Sequence, residues 1–485
     1  MPHVTLQRIG AALALGTAAI LAPAAQAQPA RPNIVFLLTD DQRADTLGCA
    51  GNAIIQTPNI DGLAAEGTRF QNAFVTTAIC MVSRASILSG LYKGTHGIDR
   101  FDQSFIPAQF AETYPVRLRG AGYYTGFIGK WGVGNEMPEQ AFDVWNGFPG
   151  QGVYFHERNG EQVHVTNLMA EQAEAFIAEA PAEQPFCLSI SFKAPHTQDE
   201  DPRQFLYDPA LESLYANVEL PYAETATDAF FQALPAFIQN SEGRVRWKRR
   251  FATPEMYQTM TKGYYRLIAG VDLAVARVIA ALEARGLREN TVIVFSSDNG
   301  FYLGERGLAG KWLMHEESIR VPLIIVDPRL PKAQRGQVRS DIALNIDLAP
   351  TVLDYAGLKP APQMQGRSLR PLVEGATPAW RTEFYYEHHF ASAEGGGVYI
   401  PATEGVWTPA WKYIAYPGAD GAMKHEEFYR LAADPHETKN LINAEASQPR
   451  VAAFRKQWAV WRDAVRGAQG STDAWNDPAP IAVAN

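Results

Sequence analysis

The chain has 485 residues, 46% of them hydrophobic, and 43 basic against 52 acidic side chains, a net charge of −9. That is apolar material for a large core, in a chain too acidic to be a general binder of nucleic acid or of anionic membranes. An anionic ligand must therefore be held by a local cluster of cations.

The first element along the chain reads as an export signal. Arg8 gives the positive start, "GAALALGTAAILAPAA" the apolar stretch, and Ala25–Ala27 ("AQA") the small-residue cleavage pattern. Residues 1–27 are thus expected to be a cleaved signal peptide, and the mature chain periplasmic or secreted. No cysteine lies near the cleavage point to support lipid anchoring, and no later run is long enough to span a bilayer. An exported chain with only Cys49, Cys80 and Cys187 leaves at least one thiol unpaired or modified, while Cys49 and Cys187 could pair.

Four apolar runs then share one pattern. Asn33–Asp41 ends in two carboxylates. Tyr123–Trp131 carries Lys130 at its end. Phe186–His196 ends with Lys193 and His196, and Thr291–Gly300 with Asp298 and Asn299. Such runs predict buried parallel strands. Between the first two, "TTAICMVSRASILSG" (Thr76–Gly90) places Cys80 at a helix start in a hydroxyl-rich setting. "HGID" at His96 fits a turn. Lys193 is read as structural. Asp199–Asn240 is irregular, an insertion near the site mouth. The basic run Arg244–Arg250 reads as a solvated face, with a track for a sulfated polymer as the alternative. A long helix is predicted from Thr253 (N-cap) and Pro254 to near Gly286. From about Trp380 the texture becomes short, aromatic and turn-bounded. Antiparallel strands are expected there, with a flexible loop at Ala393–Val398 and a closing helix near Gln448–Arg466.

Alternating strands and helices mean an α/β sheet covered on both faces, and such sheets bind ligands at the carboxyl ends of their strands. The four polar strand ends should therefore converge. Asp40, Asp41, Asp298 and Asn299 would form an oxygen cage suited to Ca²⁺ or Mg²⁺ and not to Zn²⁺. His388 and His389 in "YYEHHF" are candidates for substrate contact, with an ordinary aromatic strand as the equal alternative.

From about Asn33 to Leu441 the chain resembles the type I, formylglycine-dependent sulfatases of the alkaline-phosphatase-like superfamily. The stretches that carry the resemblance are "RPNIVFLLTDDQRADTLGC", "TPNIDGLAAEGTRFQNAF", "CMVSRASILSG", "GFIGKW", "KAPH", "SSDNGFYLGERGL" and "GKWLMHEESIRVPLII". The resemblance implies a large, mixed, mostly parallel sheet sandwiched by helices in residues 28–378. A smaller antiparallel-sheet subdomain is expected in 379–485. It implies that a formylglycine-generating maturation enzyme oxidises Cys80 to formylglycine (3-oxoalanine), whose hydrate attacks sulfur and expels the alcohol. Asp40, Asp41, Asp298 and Asn299 would hold the Ca²⁺ or Mg²⁺ together with residue 80. Arg84 would support the nucleophile. Lys130, His196 and Lys311 would bind sulfate and assist the leaving group.

Two positions depart from the family pattern. Val82 stands where Pro or Ala is usual, and Gly132 where "GKW" is commonly followed by a histidine that contacts the nucleophile. The expected function is hydrolysis of an O-sulfate ester, of a sulfated carbohydrate or polysaccharide. The alternatives are an arylsulfatase, a phosphonate or phosphate monoesterase on the same scaffold, and an unmatured, non-catalytic binder of sulfated ligands.

Overall fold

The computed structural model describes residues 1–3, 31–390 and 398–481. The signal-peptide reading rests on residues outside that set, as does nearly all of the Ala393–Val398 loop. Met1–Arg31 and Pro32–Asn485 are separate units, and the second carries everything that follows. No helix among the described residues is long and apolar enough to cross a membrane.

The centre of the molecule is a sheet of β1 (Asn33–Asp40), β2 (Thr68–Phe70), β3 (Tyr124–Lys130), β4 (Val144–Phe148), β5 (Phe186–Pro195), β6 (Thr291–Ser297), β7 (Leu323–Val326) and β8 (Gln337–Arg339). Their order is β8-β2-β7-β6-β1-β5-β3-β4. Only β7 runs antiparallel to its neighbours, so the sheet is mixed and mostly parallel, as expected. The four apolar runs are its four adjacent central strands. β1 is buried along its whole length because both of its faces are covered. Ile34, Phe36 and Leu38 enter one core, and Val35 and Leu37 the other.

Helices close both faces. On the first lies α1 (Cys80–Ser89), buried throughout. On the second, α2 (Val165–Glu179) and the long α4 (Pro254–Ala284) pack over β5. The short α3 (Glu242–Arg250) precedes α4. α4 starts where Thr253 Oγ1 accepts the Met256 N–H and Pro254 fixes the first turn, and it gives way to a left-handed Gly286. Residues 199–240 are irregular, with only short helical turns.

The aromatic C-terminal region forms a second, antiparallel sheet: β9 (Phe384–His388), β10 (Thr403–Trp407), β11 (Lys412–Pro417) and β12 (Met423–Tyr429), closed by α5 (Gln448–Gly467). Fully buried Lys412 joins this sheet to the rest, pairing with Glu316 at 2.7 Å and Glu437 at 2.6 Å. All three cysteines are free thiols. The Cys49–Cys187 pairing left open by the sequence does not form: Cys187 belongs to one core and Cys49 packs against the other, on the opposite face of the sheet.

Candidate active site

β6, β1, β5 and β3 run parallel and in register, so their carboxyl ends meet at one edge. That edge brings together Asp298 and Asn299, Asp40 and Asp41, His196, and Lys130, all buried. Asp41 lies one residue beyond β1 with φ 70°. This turn is held on both sides: its N–H donates to Asp298 Oδ1 (3.1 Å), and its carbonyl accepts from Tyr264 of α4 (2.6 Å).

Arg84, on α1, is the hub. Its Nε donates to Asp298 Oδ2 (2.8 Å), and its terminal nitrogens reach the Lys130 carbonyl (2.8 Å), Ser191 Oγ and Asp40 Oδ2 (3.3 Å). One guanidinium thus ties the ends of all four central strands, as a planar fork with several donors can. Lys130 Nζ donates to Asp40 Oδ2 (2.5 Å), and Lys311 Nζ pairs with Asp41 Oδ1. Burial works against ionisation of Asp40, yet Lys130, His196, Arg84 and Lys311 hold its carboxyl far below the usual range. Burial would lower the Lys311 ammonium, but Asp41 and other negative neighbours keep it above its ordinary value. Burial and the charge of Asp40 push Asp298 the other way, upward.

The donor set fits a hard cation. Asp40 Oδ1, Asp41 Oδ2 and Asn299 Oδ1 are buried without a hydrogen-bond partner among the described residues, which is costly unless something else binds them. Asp40, Asp41 and His196 offer ligand atoms within 4.8 Å of one another. Asp298 differs, since both its oxygens are engaged by Arg84 and the Asp41 N–H.

His196 Nδ1 meets the Thr197 carbonyl at 2.6 Å, so Nδ1 carries the hydrogen and Nε2 faces Asp41 Oδ2 at 3.7 Å. Burial is the main cause that lowers this imidazole to about 3, so it is neutral at pH 7. Cys80 opens α1 with 2% exposure, and no side chain caps that helix end. Its Sγ lies 3.9 Å from Gln151 Nε2.

His388 and His389 are not joined to this cluster by any hydrogen bond or ion pair among the described residues. His388 is fully buried, with neither ring nitrogen partnered. His389 pairs with Glu404 (2.5 Å). Their strand does run beside the cluster, because Tyr386 of β9 accepts the Ala78 N–H two residues before Cys80.

The reading of Arg244–Arg250 as a solvated face holds only for Lys248 and Arg249, the residues of that run's basic set that are exposed. Arg250 is buried on Asp199 and on Thr197 (3.1 Å), and Arg246 reaches Asp199 (3.4 Å). Charge alone made the run look exposed; its acidic and hydroxyl partners are Asp199 and Thr197 in the preceding loop and Glu242 on α3 itself. Sequence reasoning missed Gln151 and Ser191, and it left Lys193 as structural. Lys193 is a buried wall of the site, with its ammonium lowered to about 8 by burial and by Lys130. The "PGQG" turn was the available signal for Gln151, since it directly follows β4.

The sulfatase family model matches residues 32–358, and that of N-sulphoglucosamine sulphohydrolase, C-terminal, matches 304–463. The chain is 30% identical to an N-acetylglucosamine-6-O-sulfatase of Bacteroides thetaiotaomicron, over 85% of this chain and 83% of that one. It is 27% identical to an arylsulfatase of Clostridium perfringens, over 88% and 93%. A solved structure in complex with its substrate D-glucosamine-2-N,6-O-disulfate superposes with TM-score 0.76 at 28% identity, covering 90% of this chain and 98% of that one. The phosphonate monoester hydrolase of Agrobacterium radiobacter, at 21% identity and TM-score 0.74 over 90% and 96%, shares the fold.

Proposed function

Because the chain belongs to the sulfatase family and is a sulfuric ester hydrolase, we propose that it cleaves O-sulfate esters of a sulfated carbohydrate, using residue 80 matured to formylglycine and one divalent cation, Ca²⁺ or Mg²⁺. In this reading residues 1–27 direct export and are removed, 28–378 carry the catalytic core, and 379–485 form the smaller subdomain. The carbohydrate reading is supported by the relative that acts on N-acetylglucosamine 6-sulfate and by the bound disulfated glucosamine of the similar structure.

The observation that carries the proposal is the set of three unpartnered buried oxygens, from Asp40, Asp41 and Asn299, set among Arg84, Lys130 and Lys311. Those oxygens would hold the cation, with Asp298 adjoining. The cation supplies positive charge against the sulfate, and matured residue 80 supplies the attacking oxygen. The protein's own groups do the rest. Lys130 and Lys311 are fixed by carboxylates and present ammonium charge to an anion that stays negative throughout, the arrangement expected of electrostatic catalysis. Arg84 holds four strand ends at a fixed spacing. His196, its Nδ1–H committed to a carbonyl and its imidazole neutral in the free site, has an unprotonated Nε2 that would take up a proton for the departing alcohol once a bound sulfate's negative charge favours the imidazolium.

Two measurements test this. Tryptic peptide Phe70–Arg84 should carry the mass of the aldehyde; a fully active preparation containing only the thiol would refute the nucleophile. A panel of defined sulfated saccharides should include a substrate, and nitrophenyl sulfate should be turned over faster than nitrophenyl phosphate. The reverse preference would favour the monoesterase alternative.

A further inference from the structure

Position 132 has no room for the histidine that the family pattern leads one to expect. Gly132 has φ 73°, and a Cβ there would stand 2.7 Å from Arg84 Cδ. Arg84 cannot move aside without leaving Asp298, Asp40, Ser191 and the Lys130 carbonyl. A different side chain stands between Lys130 and residue 80. Gln151 Oε1 accepts from Lys130 Nζ at 2.6 Å, and its Nε2 lies 3.9 Å from Cys80 Sγ. The ammonium can only donate, so it fixes the carbonyl end of the amide toward Lys130 and the NH₂ end toward residue 80.

The turn that presents Gln151 is well anchored. It leaves β4 at Phe148, the register partner of Lys130. Gly150 and Gly152 flank Gln151 with φ 61° each, and a Cβ on Gly152 would strike the Phe148 ring at 2.5 Å. From behind, Lys193 Nζ donates to the Gln151 carbonyl (2.9 Å) and to the Thr197 carbonyl (3.3 Å), 4.8 Å over the Tyr154 ring.

We propose that Gln151 is a catalytic residue of this chain: its amide holds Lys130 with one end and donates to residue 80 with the other, with Lys193 as the positioning residue behind it. The proposal rests on the sulfatase reading given above. Sγ marks the side of residue 80 on which the matured residue bears oxygen. An amide orients and donates but takes up no proton near neutral pH, so this pocket aligns the nucleophile without a titrating neighbour at position 132.

Gln151→Met keeps the length and removes both hydrogen bonds. In matured enzyme it should lower kcat about 30-fold, the scale of losing one hydrogen bond to a charged group, with KM changed less than about 3-fold. The aldehyde content of the Phe70–Arg84 peptide should be unchanged. Gln151→Glu keeps the grip on Lys130 but donates to residue 80 only when protonated, so its activity should recover as pH falls, which a purely structural role does not predict. In unmatured protein, iodoacetamide should alkylate Cys80 about 3-fold more slowly in Gln151→Met, because the sulfur loses the amide contact that orients it. Lys193→Met should shift kcat and alkylation in the same direction. Unchanged kcat and unchanged alkylation in Gln151→Met, or a loss confined to KM, would overturn the proposal while leaving the sulfatase reading intact. A wild-type protein lacking both aldehyde and turnover, yet showing the alkylation difference, would instead sink the sulfatase reading and leave the contact standing.

Discussion

At the scale of residues, the cluster is a set of charges that balance one another only partly. Lys130 and Lys311 each sit on one oxygen of a carboxylate and leave the other oxygen bare. Removing divalent cation with EGTA should therefore abolish turnover and lower the melting temperature, and Ca²⁺ should restore both. At about 1,000 times its Kd, a ligand bound only by the folded state adds about 4 kcal/mol. Asp41→Ala should lose that Ca²⁺-dependent increment, and a variant that kept it would exclude Asp41 as a ligand. His196 calls for a different comparison. Proton transfer matters most for a poor leaving group, so His196→Ala should harm hydrolysis of a sugar sulfate far more than that of nitrophenyl sulfate. Equal loss on both would assign His196 to binding. If Lys311→Ala alone discriminated between the two substrates, Lys311 would be the acid. The convergence of Asp40, Asp41, Lys130, Asp298 and Asn299 was legible in the sequence because each lies at the end of an apolar run, whereas Arg84 and Lys311 were reached through the family resemblance. The fan of bonds from Arg84 was not legible, since its partners come from four strands distant in the chain.

At the scale of elements, long buried strands and the capped helix α4 were readable from pattern and from Thr253-Pro254. β4 was harder, because its residues are all half-buried and show no alternation, and Gln151 went unseen with it. Two histidines in other elements carry a prediction about pH. His96 ends the short helix Lys93–His96, and His388 ends β9. Burial, with Lys93 adding to it, lowers both to about 3, and His389 adds to the effect at His388. Above pH 6.5 neither imidazole is charged, folded or unfolded, so their contribution is flat. Below it the unfolded chain takes up protons that the folded chain refuses until about pH 3. Stability should then fall with falling pH, by up to about 1.4 kcal/mol per pH unit for each histidine. Urea unfolding of His388→Met at pH 7 and pH 5 should show a drop smaller than wild type by about 2 kcal/mol. Identical drops would mean that His388 is protonated in the folded protein.

At the scale of the whole molecule, the C-terminal sheet is bolted on through Lys412, which pairs with Glu316 outside that region and with Glu437 within it. Lys412 and Glu437 are both fully buried, and Arg306 reaches the Glu437 carbonyl and pairs with Glu317 (2.9 Å). Lys412→Met strands a buried carboxylate and should cost about 3–5 kcal/mol, most of which Lys412→Met/Glu437→Gln should recover. A single variant as stable as wild type would show that the pair does not hold the sheet. The central place of β1 has a consequence of another kind, in time. Its partner Ser297 accepts from a backbone 255 residues earlier, at Gln42. At roughly 5–20 residues per second of synthesis, that separation is about 13–50 seconds during which β1 has emerged and β6 has not. Throughout that interval the edge where Cys80 is later buried does not exist, so the segment around the thiol is open to a modifying enzyme early, whereas the completed sheet leaves the sulfur to small reagents and substrate.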